Sequence, residues 1–139
     1  MNEDLPAGHT VDEYMQKLAG ADLELSYGHG VLYSEYVFSR FGSPFVGNLD
    51  LKSWYFEGKV AVLPGWYVAA RFDRMIFSDV PLAAGGVEAW DADLWKREIG
   101  IGFKPSARLV AKLVHQESRI NVSPAIVRAF AAAQLSVVF

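Results

Sequence analysis

The chain has 139 residues, a length that fits a single domain, and its charge is close to neutral at −3, with 13 basic and 16 acidic side chains. This balance argues against a nucleic-acid partner, and the absence of cysteine excludes a disulfide framework and thiolate chemistry. Apolar residues make up 52% of the chain, yet no run approaches the roughly 18 consecutive apolar residues of a membrane-spanning helix. The acidic start MNEDLPAGHTVDEY lacks the basic and apolar regions of a signal peptide.

Residues 1–20 are predicted to form an N-terminal loop with one short helix. Apolar side chains recur there at helical spacing, at Val11, Tyr14, Met15 and Leu18. Thr10 and Glu13 have the spacing of a capping box, in which the two side chains bond free backbone N–H groups at the start of a helix. We expect this segment to be a structural element without a role in function.

From residue 21 to residue 139 the pattern changes to alternation, which is typical of β-strands. Charged and polar side chains occupy one set of alternate positions, and apolar or aromatic side chains occupy the other. Seven segments show this pattern, in order ADLELSYG, VLYSEYVFSRF, LKSWYFEGKVAVL, GWYVAARFDRMIF, DLWKREIGIGF, ARLVAKLVHQE and the terminal AAAQLSVVF. The sequence therefore predicts an all-β fold, an antiparallel up-and-down meander of about seven strands.

The connections between these strands alternate in length. Tight turns of Gly and Pro join strands one and two, three and four, and five and six, through GHG, LPGW and FKPSA. The intervening connections FGSPFVGN, SDVPLAAGGVEAW and INVSPA are longer. A meander places all the short turns at one end of the sheet and all the long loops at the other. The longest loop, VPLAAGGVEAWDAD, is the best candidate for a gate or for a segment that folds into a pore.

Two arrangements can accommodate the apolar face of such a sheet. A soluble, lipocalin-like barrel buries it inside as a ligand-binding cavity, whereas a transmembrane barrel turns it toward lipid and lines its lumen with polar residues. Long strands, unequal loops and aromatic residues near both strand ends favour the transmembrane arrangement. These aromatic residues are Trp66, Phe103 and Phe139 beside the short turns, and Phe38, Trp54 and Trp95 beside the long loops. A barrel that acts only as an anchor or adhesin is a weaker alternative, because the loops are short.

The ending AAAQLSVVF, with Phe139 last and Val137 and Leu135 at alternate positions before it, resembles the final strand of Gram-negative outer-membrane β-barrels. In that class the final strand is read by the barrel-assembly machinery, so the resemblance implies this role for Phe139, Val137 and Leu135. The stretches SWYFEGKVAVLPGWYVAARFDRMIF and WDADLWKREIGIGFKPSARLVAKLVHQE resemble the last hairpins of porins, including the phosphate-selective type.

The resemblance covers residues 21–139 and implies a passive channel in the bacterial outer membrane for small hydrophilic solutes or ions. It also implies contact with outer-membrane lipid and lipopolysaccharide, and it is compatible with a homo-oligomer. Seven strands are too few, and odd, for a bacterial single-chain barrel, so we expect residues 21–139 to be the C-terminal part of a larger barrel. Alone, they are expected to form an open sheet of about seven strands.

The polar set of alternate positions is expected to line the pore. The predicted pore-lining residues are Glu57, Lys59, Arg71, Asp73, Lys96, Glu98, Lys112 and Arg128. Opposed charges across a pore orient polar solutes and set ion preference, although the same charges would also pair across strands and keep the wall hydrated. Arg74 and Arg97 fall instead on the apolar side near the long loops. At that depth two interpretations are equally open: each arginine pairs with anionic lipopolysaccharide head groups, or it simply occupies the rim.

No motif indicates catalysis or a bound cofactor. His9, His29 and His115 lie on separate segments without the spacing of metal ligands. No Ser/His/Asp grouping stands out, and AAGG is not followed by the Lys-Ser/Thr pair of a phosphate-binding loop. We therefore expect neither an enzyme nor a metal or cofactor site.

Overall fold

The structure is a computed structural model that describes residues 8, 11–82 and 85–138. Seven long strands form one sheet, and two short strands form a separate hairpin. The strands are β1 (Gln16–Tyr27), β2 (Gly30–Ser43), β3 (Gly47–Leu63), β4 (Trp66–Phe77), β5 (Asp79–Pro81), β6 (Val87–Ala89), β7 (Leu94–Ser106), β8 (Leu109–Ile120) and β9 (Ile126–Val137). The predicted antiparallel meander is confirmed, with β5 and β6 as additional strands inside the longest loop. Over the described positions, no helix has the length and apolar character needed to cross a membrane.

The N-terminal segment differs from its prediction. A single turn of 3-10 helix covers Val11–Tyr14, and β1 begins at Gln16, so residues 16–20 belong to the sheet rather than to a helix or loop. The reason is cross-strand pairing: Leu18 lies opposite Ser39, and the Gln16 amide donates a hydrogen bond to Ser39 Oγ at 3.2 Å. Pairing with β2 thus outweighs the local helical spacing. Thr10, the predicted capping residue, lies outside the described residues.

The main sheet has the order β1-β2-β3-β4-β7-β8-β9, and every neighbouring pair is antiparallel. The sheet is open, with β1 and β9 as its edges, and every residue of both strands is exposed. The expectation of an open sheet is met, and the described residues do not close into a barrel by themselves. Because the strand number is odd, both edge strands run toward the short turns. A strand that pairs antiparallel with either edge must therefore run toward the long loops.

The short turns lie together at one end of the sheet, at residues 28–29, 64–65 and 107–108. Gly28 and Gly65 have φ angles of 56° and 78° there, which glycine adopts without strain. The other end carries residues 44–46, 78–93 and 121–125. The prediction that FGSPFVGN is a long connection is wrong, because β2 and β3 stay paired as far as Ser43 and Gly47. The loop 78–93 is the longest of the connections.

The register assigns each strand residue to one of two faces, since directly paired residues share a face. We call them the charged face, which includes Glu57 and Arg71, and the apolar face, which includes Ile99 and Leu113. The charged face is the more sheltered: the side chains of Glu57 and Arg71 are 33% and 31% exposed. Ile99 and Leu113 are 63% and 55% exposed. This difference fits a sheet that curves toward its charged face.

Within residues 11–82 and 85–138, no layer of protein covers the apolar face. Among the described residues, no hydrophobic side chain is fully buried. The accessible surface is 10196 Å², against about 7,200 Å² expected for a folded monomer of 15.4 kDa. The excess of about 3,000 Å² is surface that a soluble protein of this mass would bury. An apolar face of this extent requires a partner, either protein or lipid.

Tyr67 and Gly102 hold β4 and β7 together on the charged face. They lie directly opposite one another, and the Tyr67 ring occupies the space that a Cβ on Gly102 would fill. Lys59 Nζ lies 4.1 Å from the centroid of the same ring. The ring thus covers the glycine backbone and contacts an ammonium group, a combination that supports strand pairing at a glycine.

Replacing Gly102 by Ala is expected to lower the free energy of unfolding by about 1–3 kcal/mol, because the new methyl group displaces the Tyr67 ring. Gly58→Ala is the matched control, since a Cβ at Gly58 meets no atom within 4 Å. Urea unfolding of both variants in lipid vesicles, followed by tryptophan fluorescence, measures the difference. Equal stability of the two variants would contradict the packing of Tyr67 on Gly102.

Candidate functional site

Charged side chains form a belt across the middle of the charged face. The belt consists of two adjacent rows of residues paired across the strands. The first row contains Glu24, Glu57, Arg71 and Glu98, and the second contains Asp22, Glu35, Asp73, Lys96 and Arg128. The other two predicted residues, Lys59 and Lys112, lie on the same face nearer the short turns. All eight predicted residues therefore share one face, while their role in lining a pore stays a prediction.

Arg71 is the centre of the belt. Its guanidinium donates to Asp73 Oδ1 through Nη2 at 2.7 Å and through Nε at 2.9 Å, and to Glu57 Oε2 through Nη1 at 3.3 Å. The guanidinium carbon also lies 4.0 Å from the centroid of the Tyr55 ring. Lys96 Nζ lies 3.4 Å from Asp73 Oδ2. Two carboxylates and two cations on β3, β4 and β7 thus neutralise one another in one half-exposed cluster.

The other predicted residues are paired more loosely. Lys112 Nζ lies 3.8 Å from Glu98 Oε1, at the outer limit of an ion pair. Lys59 contacts the Tyr67 ring rather than a carboxylate. Within the part of the chain that the structure describes, no ion pair reaches Lys59 or Arg128. The structure therefore brings six of the predicted residues into ion pairs and leaves these two cations outside them.

Charge is distributed unevenly along the belt. The β1 and β2 side carries Asp22, Glu24 and Glu35, whereas the β8 and β9 side carries Lys112 and Arg128. Across residues 11–82 and 85–138, none of these three acids has a salt bridge. The charged face therefore carries an electric field that points across the strands from its basic edge to its acidic edge.

Trp90 anchors the long loop, residues 78–93, to aromatic side chains of the charged face. The Trp90 ring packs edge-on against Phe77 and Phe41, with centroid separations of 4.9 and 6.3 Å. Its indole N–H donates to the Asp50 carbonyl at 3.0 Å, and its backbone N–H donates to the Ser78 carbonyl at 3.1 Å. Phe41 and Phe77 belong to the charged face by register. The loop is thus anchored on the face that is predicted to line a pore.

A depression of about 750 Å³ lies between this loop and residues 121–123. Its wall includes four carboxylates, those of Asp79, Glu88, Asp91 and Asp93. Acidic groups around such a depression attract cations to that end of the charged face.

Replacing Trp90 by Ala is expected to release the loop, because the variant loses two aromatic contacts and the indole hydrogen bond. Cleavage after Glu88 by a glutamate-specific protease then becomes faster. The increase is about tenfold if the substitution lowers the free energy of loop opening by about 1.4 kcal/mol. Trp66→Ala, at the opposite end of the sheet, is the control and leaves this cleavage unchanged. Unchanged cleavage in the Trp90 variant would show that the loop is held by other contacts.

Aromatic residues of the apolar face form two groups, one at the short-turn end of the strands and one that extends from the middle of β3 and β4 to the long-loop end of β7. Trp66 and Phe103 lie directly opposite one another beside the short turns, with centroids 4.5 Å apart. Phe72 lies between Trp54 and Trp95 toward the long loops, with centroids 5.5 and 6.4 Å away. Two such groups on one apolar face have the arrangement of the aromatic girdles of a transmembrane barrel.

The apolar face also carries charged side chains toward the long loops. Arg74 and Arg97 were predicted there, and the structure adds Arg40, Asp50 and Glu117. Arg40 pairs with Asp50 through two nitrogen–oxygen contacts of 2.7 Å. Arg97 Nη2 pairs with Glu117 Oε2 at 2.7 Å. Following the alternate positions of β8 as far as Glu117 would have revealed this second pair.

The predicted assembly residues are only partly described. Leu135 and Val137 lie on the apolar face of β9, opposite Ala111 and Leu109. Both are at least half exposed, at 68% and 50%. Phe139 lies outside the described residues.

The described residues contain no group of three or more His, Cys, Asp and Glu that would hold a metal ion. His29 lies in the turn between β1 and β2, His115 lies on β8, and His9 lies outside the described part of the chain. Comparison of the chain with protein families, curated proteins and solved structures finds no match.

Proposed function

We propose that this chain forms part of the wall of a transmembrane β-barrel in a bacterial outer membrane, and that the barrel is a passive, porin-like channel. Its solutes are ions and small hydrophilic molecules. One observation carries the proposal: the paired ionised side chains of the inner strands are the sheltered ones, and apolar side chains of the opposite face, such as Ile99 and Leu113, are the exposed ones. This is the distribution that lipid outside and water inside would select.

The same observation weighs against a soluble, lipocalin-like barrel. Such a barrel places its apolar face in a dry centre and its charged face in bulk water. Here Ile101 and Leu135 of the apolar face are 41% and 68% exposed. The Asp73 side chain on the opposite face is only 22% exposed. A sheet of this kind gains stability from burial of its apolar face only if hydrocarbon or a partner covers it.

The charged face supplies what a selective water-filled channel needs. The neutralised cluster around Arg71 keeps the middle of the wall polar without a large net charge. The acidic residues of β1 and β2 and the basic residues of β8 and β9 set up a transverse field, which orients dipolar solutes as they pass. The loop held by Trp90 narrows the entrance on the long-loop side.

Closure of the wall requires additional strands. Both edges of the sheet run toward the short turns, so a fully antiparallel closure needs an odd number of further strands between β9 and β1. These strands are supplied by other polypeptide or, in reconstituted vesicles, by a copy inserted in the opposite orientation, because copies in the same orientation would pair in parallel. In the cell the barrel-assembly machinery inserts the completed wall. In lipid every strand N–H and C=O must be paired, so the open form is the precursor of the channel.

Solute efflux tests this function. The chain is refolded over a range of concentrations into liposomes that contain a small hydrophilic dye, and release of the dye is the expected result. Because the sequence has no cysteine, Val114→Cys and Leu113→Cys each introduce a single thiol, on the charged and apolar faces of β8 respectively. A bulky water-soluble thiol reagent should slow efflux through the Val114 variant and leave the Leu113 variant unaffected. Retention of the dye by liposomes that hold protease-protected protein would contradict a channel.

A further inference from the structure

One row of the apolar face alternates tryptophan and arginine across four neighbouring strands. Trp54 of β3, Arg74 of β4, Trp95 of β7 and Arg119 of β8 lie directly opposite one another in sequence. Strands are spaced about 4.8 Å apart, so the two arginine backbones lie about 10 Å apart with Trp95 between them. Lys52 is the diagonal neighbour of Arg74 on β3. Both guanidinium groups can therefore converge on one small anion beside Trp95, whose ring is itself contacted by the Arg97 guanidinium at 5.5 Å.

These cations differ from the other arginines of this face in how they are paired. Arg40 and Arg97 are held by carboxylates at 2.7 Å. Arg74 has only Asp93 at 3.8 Å. Over the described ranges no salt bridge reaches Arg119 or Lys52, and both residues are exposed. The row thus retains unneutralised positive charge, which attracts an anion.

A mostly apolar trough begins beside this row, where the Arg97–Glu117 ion pair lines its end, and runs toward the short turns. Its first part has a volume of about 520 Å³ and a floor of two small residues, Gly58 and Ala70, which lie opposite one another between Phe56, Phe72 and Ile99. Past Ile99 it continues into a second depression of about 330 Å³, whose lining is almost entirely apolar. An anion site at one end of an apolar trough has the shape and chemistry of an amphiphile with an acidic head and a hydrocarbon tail.

We propose that this surface binds one anionic phospholipid, with its phosphate between Arg74 and Arg119 and an acyl chain over Gly58 and Ala70. The inference rests on the proposed function, since it takes the apolar face to contact lipid. Arginine donates paired N–H groups to phosphate oxygens, and Lys52 adds a third cation. Trp54 and Trp95 place their amphipathic rings at the depth of the head groups. Arg97 is excluded from the phosphate site because Glu117 already occupies its guanidinium.

Quenching of a single tryptophan by brominated lipids tests the site. Trp54, Trp66 and Trp90 are replaced by Phe, so that Trp95 alone reports the lipid beside the row. The protein is refolded into phosphatidylcholine vesicles that contain either brominated phosphatidylglycerol or brominated phosphatidylcholine at the same fraction. We expect the phosphatidylglycerol to be preferred at Trp95 by about fivefold or more, since each cation near the surface favours an anionic lipid about that strongly.

Two variants and one added anion separate the outcomes. Arg74→Gln with Arg119→Gln should abolish the preference, whereas the matched variant Arg97→Gln should retain it. Equal quenching by the two lipids would overturn the lipid site while leaving the membrane-facing assignment intact. Absence of quenching by either lipid would overturn the proposed function itself. Loss of the preference on addition of inorganic phosphate, but not of sodium chloride at the same ionic strength, would show that the row binds free phosphate more strongly than the lipid and would overturn the lipid site.

Discussion

Replacing Ala70 by Arg is expected to lower the free energy of unfolding from lipid vesicles by about 2–4 kcal/mol, the cost of a cation on the lipid-facing side near mid-membrane. Ala70 lies on the apolar face of β4, opposite Gly58 and Ile99, and its side chain is exposed. A new guanidinium at this position has neither a carboxylate partner nor water if hydrocarbon covers the face. Urea titration of the vesicle-bound protein measures the change.

The neighbouring residue on the same strand provides the matched control. Ala69 lies on the charged face, opposite Lys59 and Gly100, so Ala69→Arg places the same side chain beside water. We expect its effect to stay within about 0.5 kcal/mol, the usual range for a surface substitution. Similar losses at Ala69 and Ala70, or a larger loss at Ala69, would contradict the assignment of the two faces.

Replacing Arg71 by Gln is expected to make the channel more selective for cations by about fivefold. The change removes one of the two cations that neutralise Glu57 and Asp73, so the cluster gains a net negative charge. A unit charge acts on an ion at 4 Å with about 1 kcal/mol in water, which corresponds to that factor. The reversal potential across a bilayer that separates two concentrations of potassium chloride measures the permeability ratio.

The control for this experiment is an arginine on the other face. Arg97→Gln also removes one positive charge, but Arg97 pairs with Glu117 on the apolar face, away from the belt. It should leave the reversal potential unchanged. A shift of equal size in both variants would mean that the Arg71 cluster does not line the conducting path.

The strands and their two faces were predictable because alternation reports them directly. In β4, residues 66–73 alternate regularly enough that the face of Arg71 and the face of Ala70 both follow from position alone, although Arg74, Met75 and Phe77 break the pattern. The belt of charged residues was predictable in the same way, because the turns fix the register and so bring the charged positions of neighbouring strands side by side. These are local properties of the sequence, and the structure places all eight predicted charges on one face.

Other features depend on contacts between distant segments and were missed for that reason. Leu18 joins β1 because β2 offers it a partner, although its spacing from Tyr14 and Met15 is helical. Trp90 fastens the long loop through Phe41 and Phe77, a contact that no local pattern indicates. Closure of the sheet depends on strands other than these seven, since the described strands leave both edges unpaired.

Nitroxide accessibility at Ala69 and Ala70 tests most directly whether lipid covers the apolar face. Ala69→Cys and Ala70→Cys are each spin-labelled in the cysteine-free chain and refolded into vesicles, and collisions with oxygen and with a water-soluble nickel complex are compared. We predict high oxygen and low nickel accessibility at position 70, and the reverse preference at position 69. Low accessibility to both reagents at position 70 would reveal a dry protein interior, and the inside-out arrangement of this sheet would then be wrong.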